Sequence, residues 1–169
     1  MPEAEDAFDP ALVLERFAEA GVDFVVIGGV AGGIHGSAIG TFDVDLAYGR
    51  EPENLEKIAA VLRALGAKLR GAPVDVPFLL DAQTLKAGAN FAFTTSLGAI
   101  DLLGHPAGAP PYERLRAAAT LVGVRGHDVR VASLDHLIAM KEAAGRPKDK
   151  QQATEYRTIS DELRAPREL

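Results

Sequence analysis

Two aspartates separated by a single residue are the first feature of this sequence that could carry chemistry. Asp43 and Asp45 flank Val44, and Leu46 follows. In a strand, residues two apart project from the same face, roughly 6.6–7 Å apart along the chain. Two such carboxylates repel one another unless a cation lies between them, and oxygen ligands suit Mg²⁺ or Mn²⁺. The pair alone is equally compatible with two solvated aspartates at a strand end, because about three acid-x-acid triplets are expected by chance.

A third carboxylate has a similar setting. Asp101 lies between Ile100 and Leu102 in an otherwise apolar segment, where an unpaired carboxylate is costly to desolvate. If its strand lies beside that of Asp43 and Asp45, Asp101 can point at the same site. Three carboxylates on adjacent strands form the ligand set for two-metal catalysis on a triphosphate. The alternative is an edge strand, on which Asp101 meets water or an arginine.

Glycines are concentrated just before the aspartate pair. Six of the seventeen glycines lie between Gly28 and Gly40. A strand, the pair Gly28-Gly29 and then a helix form a geometry that binds phosphate, because no Cβ shields the backbone and helix N-terminal amides face the anion. The Walker and dinucleotide-binding patterns are both missing, and glycine pairs also form ordinary tight turns.

A lysine near the end of the chain shares a helical stripe with core residues. Lys141 follows Leu134, Leu137 and Ile138 at spacings of a single helix face. A lysine there needs a partner, which is either a triphosphate or, if the side chain reaches past the core rim, solvent or an aspartate. Residues 114–150 hold eight bases and four acids, so this part of the chain is locally basic.

Hydrophobic patterning and capping residues predict the elements that position these side chains. Helices are predicted after the N-cap Asp9 as far as Gly21, after Gly28-Gly29 to about Ser37, from Pro52 to Gly66, near 112–119, from Ser133 to Ala144, and after Pro147 with Tyr156, Ile159 and Leu163 on one side. Strands are predicted over 24–27, 44–48, 91–95, 99–103 and 127–132, a loop over 104–111, and segment 67–90 is ambiguous. We expect one α+β (α/β-like) domain over 1–169, with a core at 10–132 and a C-terminal helical part at 133–165.

Composition excludes several classes of protein. The chain has 169 residues, 47% of them hydrophobic, no cysteine and a net charge of −6. Disulfides and cysteine nucleophiles are therefore excluded, and a protein that wraps a long nucleic acid or binds a membrane is not expected. The acidic start, residues 1–6, is unlike a signal peptide, and the longest apolar run, 24–34, is shorter than the ~20 residues of a membrane span. We expect a cytoplasmic protein.

In order and spacing, these residues resemble the nucleotidyltransferase superfamily, which has the DNA polymerase beta-like fold. Its signature is a strand ending in Gly-Gly or Gly-Ser, nine to thirteen residues, Asp-h-Asp-h, and a later h-Asp-h, where h is hydrophobic. Here Gly28-Gly29 is followed after thirteen residues by Asp43-Val44-Asp45-Leu46 and later by Ile100-Asp101-Leu102. The resemblance implies a small mixed β-sheet flanked by helices, with further helices at the C-terminus.

Within this superfamily the chain is similar to small bacterial abortive-infection toxins of the AbiEii type. Three segments carry the similarity, namely Gly-Gly-Val-Ala-Gly-Gly-Ile-His-Gly at 28–36, Leu-Asp-His-Leu-Ile-Ala-Met-Lys at 134–141 and Arg-Pro-Lys-Asp at 146–149. The match covers about residues 20–150. One departure is that relatives often have Arg-x-Thr before the first aspartate, whereas this chain has Ile39-Gly40-Thr41, which bears on nucleotide preference or on the acceptor.

The resemblance also implies roles for single residues. Asp43, Asp45 and Asp101 would be the catalytic metal ligands, and Asp101 would also activate the acceptor hydroxyl. The nucleotide-binding residues would be Gly28 and Gly29 beneath the phosphates, Thr41, Lys141 on the triphosphate, Arg146 and Asp149. His35 either lies near the site or hydrogen-bonds to backbone.

The implied activity is transfer of NMP from an NTP to a hydroxyl, with Mg²⁺ or Mn²⁺ as cofactor and release of pyrophosphate. The acceptor would be an RNA 3′ end such as that of tRNA, a protein or a small molecule, and the protein could be the toxin of a pair with a cognate antitoxin. One alternative is an antibiotic-type small-molecule adenylyltransferase. Another is a non-catalytic binding or antitoxin-like subunit that retains the fold.

Overall fold

The structure is a computed structural model that describes residues 8–73 and 78–166. The acidic N-terminal residues 1–6 lie outside this part of the chain. None of the helices in the described part is both long and apolar enough to cross a membrane.

Helices flank one mixed sheet. In the described residues they are α1 (Pro10–Glu19), α2 (Gly28–Ile34), α3 (Pro52–Ala64), α4 (Ala82–Ala87), α5 (Tyr112–Ala117), α6 (Leu134–Ala144) and α7 (Pro147–Arg164). The strands are β1 (Phe24–Ile27), β2 (Asp43–Tyr48), β3 (Lys68–Leu69), β4 (Asn90–Thr95), β5 (Gly98–Leu103), β6 (Thr120–Val124) and β7 (His127–Val131). They form a mixed sheet in the order β3-β4-β5-β2-β1-β7-β6. The predicted α+β class with a mixed sheet is confirmed, while the single-domain division stays a prediction.

The middle of the sheet determines which side chains meet. Strand β2 runs antiparallel to β1 and parallel to β5. In this register Asp45 lies opposite Ile27 on one side and Asp101 on the other. Val44 and Leu46 are fully buried on the opposite face of β2, so the alternation of a half-buried strand separates the core from the carboxylates.

Helix boundaries follow the capping residues. The Asp9 side chain accepts a hydrogen bond from the backbone N–H of Leu12 at 3.1 Å, and Pro10 opens α1. Ser133 caps α6 in the same way by accepting from the N–H of His136 at 3.2 Å. Gly145 ends α6 in the left-handed conformation, with φ of 69°. These ends agree with the prediction because local capping chemistry decides them.

Several local predictions need correction. Helix α2 ends at Ile34 rather than near Ser37, because Gly36, just after the C-cap His35, adopts a positive φ of 114° that ends the helix. The short helix near 112–119 ends at Ala117. Strand β6 was not predicted; its short apolar stretch is interrupted by Gly123, and as an edge strand it leaves most of its side chains exposed. The ambiguous segment 67–90 contains β3 and α4.

The last helix is anchored by one tyrosine. Tyr156 is almost fully buried, Ile159 is partly buried and Leu163 is exposed, so the predicted apolar side of α7 leaves the core before the helix ends. The Tyr156 ring lies against Gly32 of α2, where a Cβ would come within 2.7 Å of Cζ. Gly32 therefore lets the C-terminal helix approach the glycine-rich helix that follows β1.

Replacing Gly32 by alanine is expected to lower the free energy of unfolding by about 2 kcal/mol, because the new methyl overlaps the buried Tyr156 ring, which would have to shift. Gly33→Ala is the matched control, since a Cβ at Gly33 meets no atom within 4 Å and alanine favours the helix. Urea denaturation measures both variants. Equal stabilities of the two variants would contradict this packing account.

Candidate active site

Three carboxylates meet at the centre of the sheet. Asp43 and Asp45 project from β2 and Asp101 projects from β5, and one oxygen of each lies within 4.8 Å of the others. Asp45 and Asp101 are direct neighbours in the parallel pairing of the two strands. The structure thus brings together the three residues that the sequence singled out as metal ligands.

Burial and mutual repulsion make this cluster unfavourable without a cation. Burial first, and then the nearby charges of Asp43 and Asp101, together raise the pKa of Asp45 to about 7. Burial also raises the pKa of Asp101, against the effect of the neighbouring guanidinium of Arg70. Asp45 Oδ1 is buried and accepts no hydrogen bond from the part of the chain that the structure describes. A bound cation would compensate all three charges.

The donor set fits a hard divalent cation. Mg²⁺ binds oxygen at about 2.0–2.1 Å in octahedral geometry, which puts neighbouring ligand atoms about 3 Å apart and opposite ones about 4 Å apart. One oxygen of each carboxylate lies within 4.8 Å of the others, which is close to the larger of these separations. Carboxylates without cysteine or histidine are the ligands that Mg²⁺ and Mn²⁺ prefer.

The raised pKa of Asp45 predicts a pH-dependent stability of the metal-free protein. Since the folded pKa of about 7 lies above the ordinary 3.8, Asp45 favours the folded state fully below pH 3.8, and this contribution is lost as the pH rises through about 7. We expect the melting temperature in EDTA to fall between pH 5 and 8, and Mg²⁺ to stabilise the protein increasingly over that range. In Asp45→Asn this fall should be smaller, with the remainder due to Asp101, whose pKa burial also raises; an unchanged profile in that variant would refute the assignment to Asp45.

Thr41 and Gly29 support Asp43 from the preceding loop. The Thr41 hydroxyl donates to Oδ1 of Asp43 at 3.2 Å and lies 3.3 Å from the Asp43 carbonyl oxygen. A Cβ at Gly29 would lie 2.6 Å from Cβ of Thr41. Thr41, predicted to bind nucleotide, therefore contacts a predicted metal ligand, and glycine at 29 leaves room for that contact.

Gly28 has an equally specific neighbour. Its φ is 68°, a conformation that favours glycine, and a Cβ there would lie 2.9 Å from Cγ of Asp45 and closer still to the carboxylate oxygen. The glycine at the junction of β1 and α2 is thus needed for the Asp45 carboxylate to lie against bare backbone. A role beneath phosphates stays a prediction.

Lys141, Arg146 and Asp149 form an ion cluster beside the aspartates. The Asp149 side chain is completely buried; its Oδ2 accepts from Nε of Arg146 at 2.7 Å, and its Oδ1 lies 3.6 Å from Nζ of Lys141. The hydrogen bond from Arg146 holds the pKa of Asp149 below its ordinary value. Asp149 also caps α7 by accepting from the backbone N–H of Arg146 at 3.3 Å. Lys141 thus has an aspartate partner, and a role on the triphosphate stays a prediction.

Two cavities border this cluster, and Asp45, Lys141 and Arg146 line both of them. The polar chamber, of about 570 Å³, is lined in addition by Gly29, Ile39, Gly40, Thr41, Phe42, Asp43, Asp101, Lys148, Gln151 and Gln152. The apolar chamber, of about 220 Å³, is lined in addition by Ile27, Gly28, Asn90, Leu103, Pro106, Ala107, Leu137, Met140, Ala144 and Asp149. The carboxylates therefore lie where a space with three bases meets a mainly apolar one.

The segment before the aspartates differs chemically from the family pattern. Ile39, at the position where relatives often have arginine, lines the polar chamber. Phe42, next to Asp43, is 89% exposed at the same chamber. The His35 ring bonds to the Ala132 carbonyl oxygen at 2.8 Å, which agrees with the backbone-bonding alternative for this residue.

Arg70 is a site residue that sequence reasoning missed. Its Nη2 donates to Oδ1 of Asp101 at 2.9 Å and to the carbonyl oxygen of Phe93 at 2.8 Å. Strand β5 lies inside the sheet, between β4 and β2, so Asp101 meets an arginine without being on an edge strand. The only signal in the sequence was Asp101 itself, because a lone carboxylate in an apolar strand is costly to bury without a cation. That signal does not identify Arg70 as the cation.

Comparisons with known proteins agree with this architecture. No protein-family model matches the sequence, and no curated protein matches it. The solved structure of the lincosamide antibiotic adenylyltransferase LnuA with lincomycin bound aligns with a TM-score of 0.59 and 11% identity, over 93% of this chain and 98% of that one. TM1012 from Thermotoga maritima, a candidate nucleotidyltransferase, aligns with a TM-score of 0.54 and 14% identity, over 87% and 89%.

A third structure extends the same result. An antigenic nucleotidyltransferase-like protein from Paracoccidioides brasiliensis aligns with a TM-score of 0.52 and 14% identity, over 94% of this chain and 76% of that one. At such identities the likeness concerns the fold alone. The chain has the nucleotidyltransferase fold that its motifs predicted, whereas the similarity to AbiEii-type toxins stays a prediction.

Proposed function

We propose that this protein is a metal-dependent nucleotidyltransferase that moves NMP from an NTP to an acceptor hydroxyl and releases pyrophosphate. The observation that carries the proposal is the meeting of three carboxylate oxygens within 4.8 Å at the floor of a chamber that also contains bases. Anionic ligands for a divalent cation beside cations for a polyphosphate are the two requirements of this chemistry.

Asp43, Asp45 and Asp101 would hold one or two Mg²⁺ or Mn²⁺ ions. When bound, such ions neutralise the charge of the triphosphate and polarise the phosphorus that is attacked. Thr41 keeps Asp43 oriented through its 3.2 Å hydrogen bond. Gly28 lets Asp45 lie against the backbone, which excludes water from one side of that carboxylate.

The phosphates would lie in the polar chamber. Lys141 and Arg146 line it and are paired with Asp149, which limits the positions their charges can take. Lys148, whose side chain is exposed, adds a third base at the same chamber. Gly28 and Gly29 would lie beneath the phosphates.

The transfer itself needs a base for the acceptor. The hydroxyl oxygen forms a bond to the α-phosphorus, the bond from that phosphorus to the bridging oxygen breaks, and pyrophosphate leaves with the electron pair. The proton of the hydroxyl goes to a carboxylate oxygen of Asp101. Positioning and charge neutralisation supply the rate enhancement.

Two acceptor classes follow from different observations. The AbiEii-type motifs at 134–141 and 146–149 support a toxin that acts on an RNA 3′ end such as that of tRNA, or on a protein, and that has an antitoxin partner. The apolar chamber beside Asp45 and the net charge of −6 support a small-molecule hydroxyl, and LnuA, an antibiotic adenylyltransferase, shares the fold. A non-catalytic subunit is the third candidate, which the intact carboxylate cluster disfavours.

Incubation with each α-labelled NTP, Mg²⁺ and cell lysate tests the proposal. Wild type should label an acceptor, and Asp43→Ala/Asp45→Ala should not. Sensitivity of the label to ribonuclease, to protease or to neither identifies RNA, protein or a small molecule. Equal labelling by both proteins, or none by either, would refute catalysis at this site.

A further inference from the structure

Arg70 continues a row of residues that crosses the sheet to the carboxylates. The pairing of β3 with β4 extends one residue beyond β3, since the N–H of Arg70 donates to the Ala92 carbonyl oxygen at 2.9 Å. Ala92 lies opposite Asp101, and Asp101 lies opposite Asp45. Arg70, Ala92, Asp101 and Asp45 therefore follow one another across four neighbouring chain segments.

The path of the Arg70 side chain depends on a small residue. To reach Asp101 from the edge, the guanidinium has to cross β4 at Ala92, whose side chain is a single methyl group. On the way it donates to the Phe93 carbonyl oxygen at 2.8 Å, which holds the guanidinium in place. The contact with Asp101, at 2.9 Å, is a charge-assisted hydrogen bond.

This contact competes with a metal ion. Oδ1 of Asp101 is occupied by the guanidinium, so without rearrangement one oxygen of this carboxylate is left for a cation. The fixed positive charge also repels a divalent cation at the neighbouring carboxylates, and in this half-buried place solvent screens the repulsion less than at a free surface. A triphosphate reverses the balance, because its negative charges attract both the metal and the guanidinium.

We propose that Arg70 is a positioning residue that weakens metal binding by the free protein and thereby makes binding of the metal depend on the nucleotide. The inference rests on the proposed function, since it assumes that the three aspartates bind a divalent metal. The metal and the NTP then enter together, and the site does not stay loaded with metal between turnovers.

Direct Mn²⁺ binding tests this proposal without measuring turnover. Free Mn²⁺ is followed by electron paramagnetic resonance during titration of wild type, Arg70→Gln and Lys68→Gln, each with and without a non-hydrolysable NTP analogue. Lys68→Gln is the matched control, because it removes one positive charge from an exposed residue of β3 that makes no ion pair among the described residues. We expect Arg70→Gln alone to bind Mn²⁺ about tenfold more tightly, and to gain less from the analogue than wild type does.

Two further variants keep the test independent of the folding of Arg70→Gln. Arg70→Lys keeps the charge and should bind Mn²⁺ as weakly as wild type. Ala92→Val keeps Arg70 but obstructs its path, so it should tighten Mn²⁺ binding as Arg70→Gln does. A structural defect alone would weaken metal binding rather than strengthen it.

The possible results distinguish a wrong inference about Arg70 from a wrong proposal of a metal site. If Arg70→Gln and Ala92→Val bind Mn²⁺ no more tightly than Lys68→Gln, the inference about Arg70 is wrong while the metal site stands. If no protein binds Mn²⁺, with or without the analogue, the proposed function fails and the inference fails with it.

Discussion

Replacing Asp45 by asparagine is expected to reduce NMP transfer at least about 10³-fold while the protein stays folded. Asp45 is the central carboxylate, with Asp43 on its own strand and Asp101 opposite it on β5. Asparagine keeps the shape but removes the negative charge that a divalent cation needs, and the loss of such electrostatic stabilisation has effects of this order. The rate of pyrophosphate release at saturating Mg²⁺ and NTP measures the loss.

Stability separates this loss from misfolding. The carboxylate of Asp45 is unfavourable in the metal-free protein, because burial and then its neighbours raise its pKa to about 7. Asp45→Asn should therefore be at least as stable as wild type in EDTA at pH 8. Asp135→Asn, which removes an exposed carboxylate paired with Arg164 on the surface, is the control and should keep full activity. Activity of Asp45→Asn near that of the control would exclude the carboxylate cluster as the catalytic centre.

Replacing Asp149 by asparagine is expected to lower the free energy of unfolding by about 3 kcal/mol and the transfer rate by 10- to 100-fold. The fully buried Asp149 side chain compensates Arg146 and Lys141, and it also caps α7. Asparagine would leave two cations close together without their shared anion. Lys141 would then lose its fixed position between the two chambers, which explains an effect on activity beyond that on stability.

Urea denaturation and transfer kinetics measure the two effects in the same preparation. Asp161→Asn is a suitable control, since Asp161 is an exposed acid on the same helix and its side chain makes no ion pair among the described residues. The pKa of Asp149 is lowered chiefly by Arg146, so its contribution to stability is present at neutral pH and is lost as the pH falls through the acidic range. A variant as stable as Asp161→Asn would show that the ion cluster contributes nothing to the fold.

Local chemistry explains what could be predicted from the sequence. The boundaries of α1 and α6 follow from Asp9 and Ser133, because a cap is decided by a few neighbouring residues. Strand β1 could be predicted because it is a run of four apolar residues, all of them buried. Asp101 could be singled out because it is the one charged residue in an otherwise apolar strand. The sequence could not show whether the strand of Asp101 lies beside that of Asp43 and Asp45. In the structure β2 and β5 pair in parallel, with Asp45 opposite Asp101.

Contacts between segments that are distant in the sequence could not be predicted from local patterns. The pairing of Arg70 with Asp101 joins residues 31 apart, across a strand whose small Ala92 leaves the path open. Glycine is needed at position 32 because the Tyr156 ring packs against it, and no sequence pattern links these two distant residues. The burial of Asp149 follows from the packing of α7, because in the sequence Asp149 is one acid in a basic, exposed-looking segment.

A crystal of the wild-type protein with Mn²⁺ and a non-hydrolysable NTP analogue tests the central claim most directly. The account predicts an anomalous Mn²⁺ peak about 2.2 Å from carboxylate oxygens of Asp43, Asp45 and Asp101, with the phosphates in the polar chamber beside Lys141. Mn²⁺ bound elsewhere, or phosphates outside the polar chamber, would contradict it.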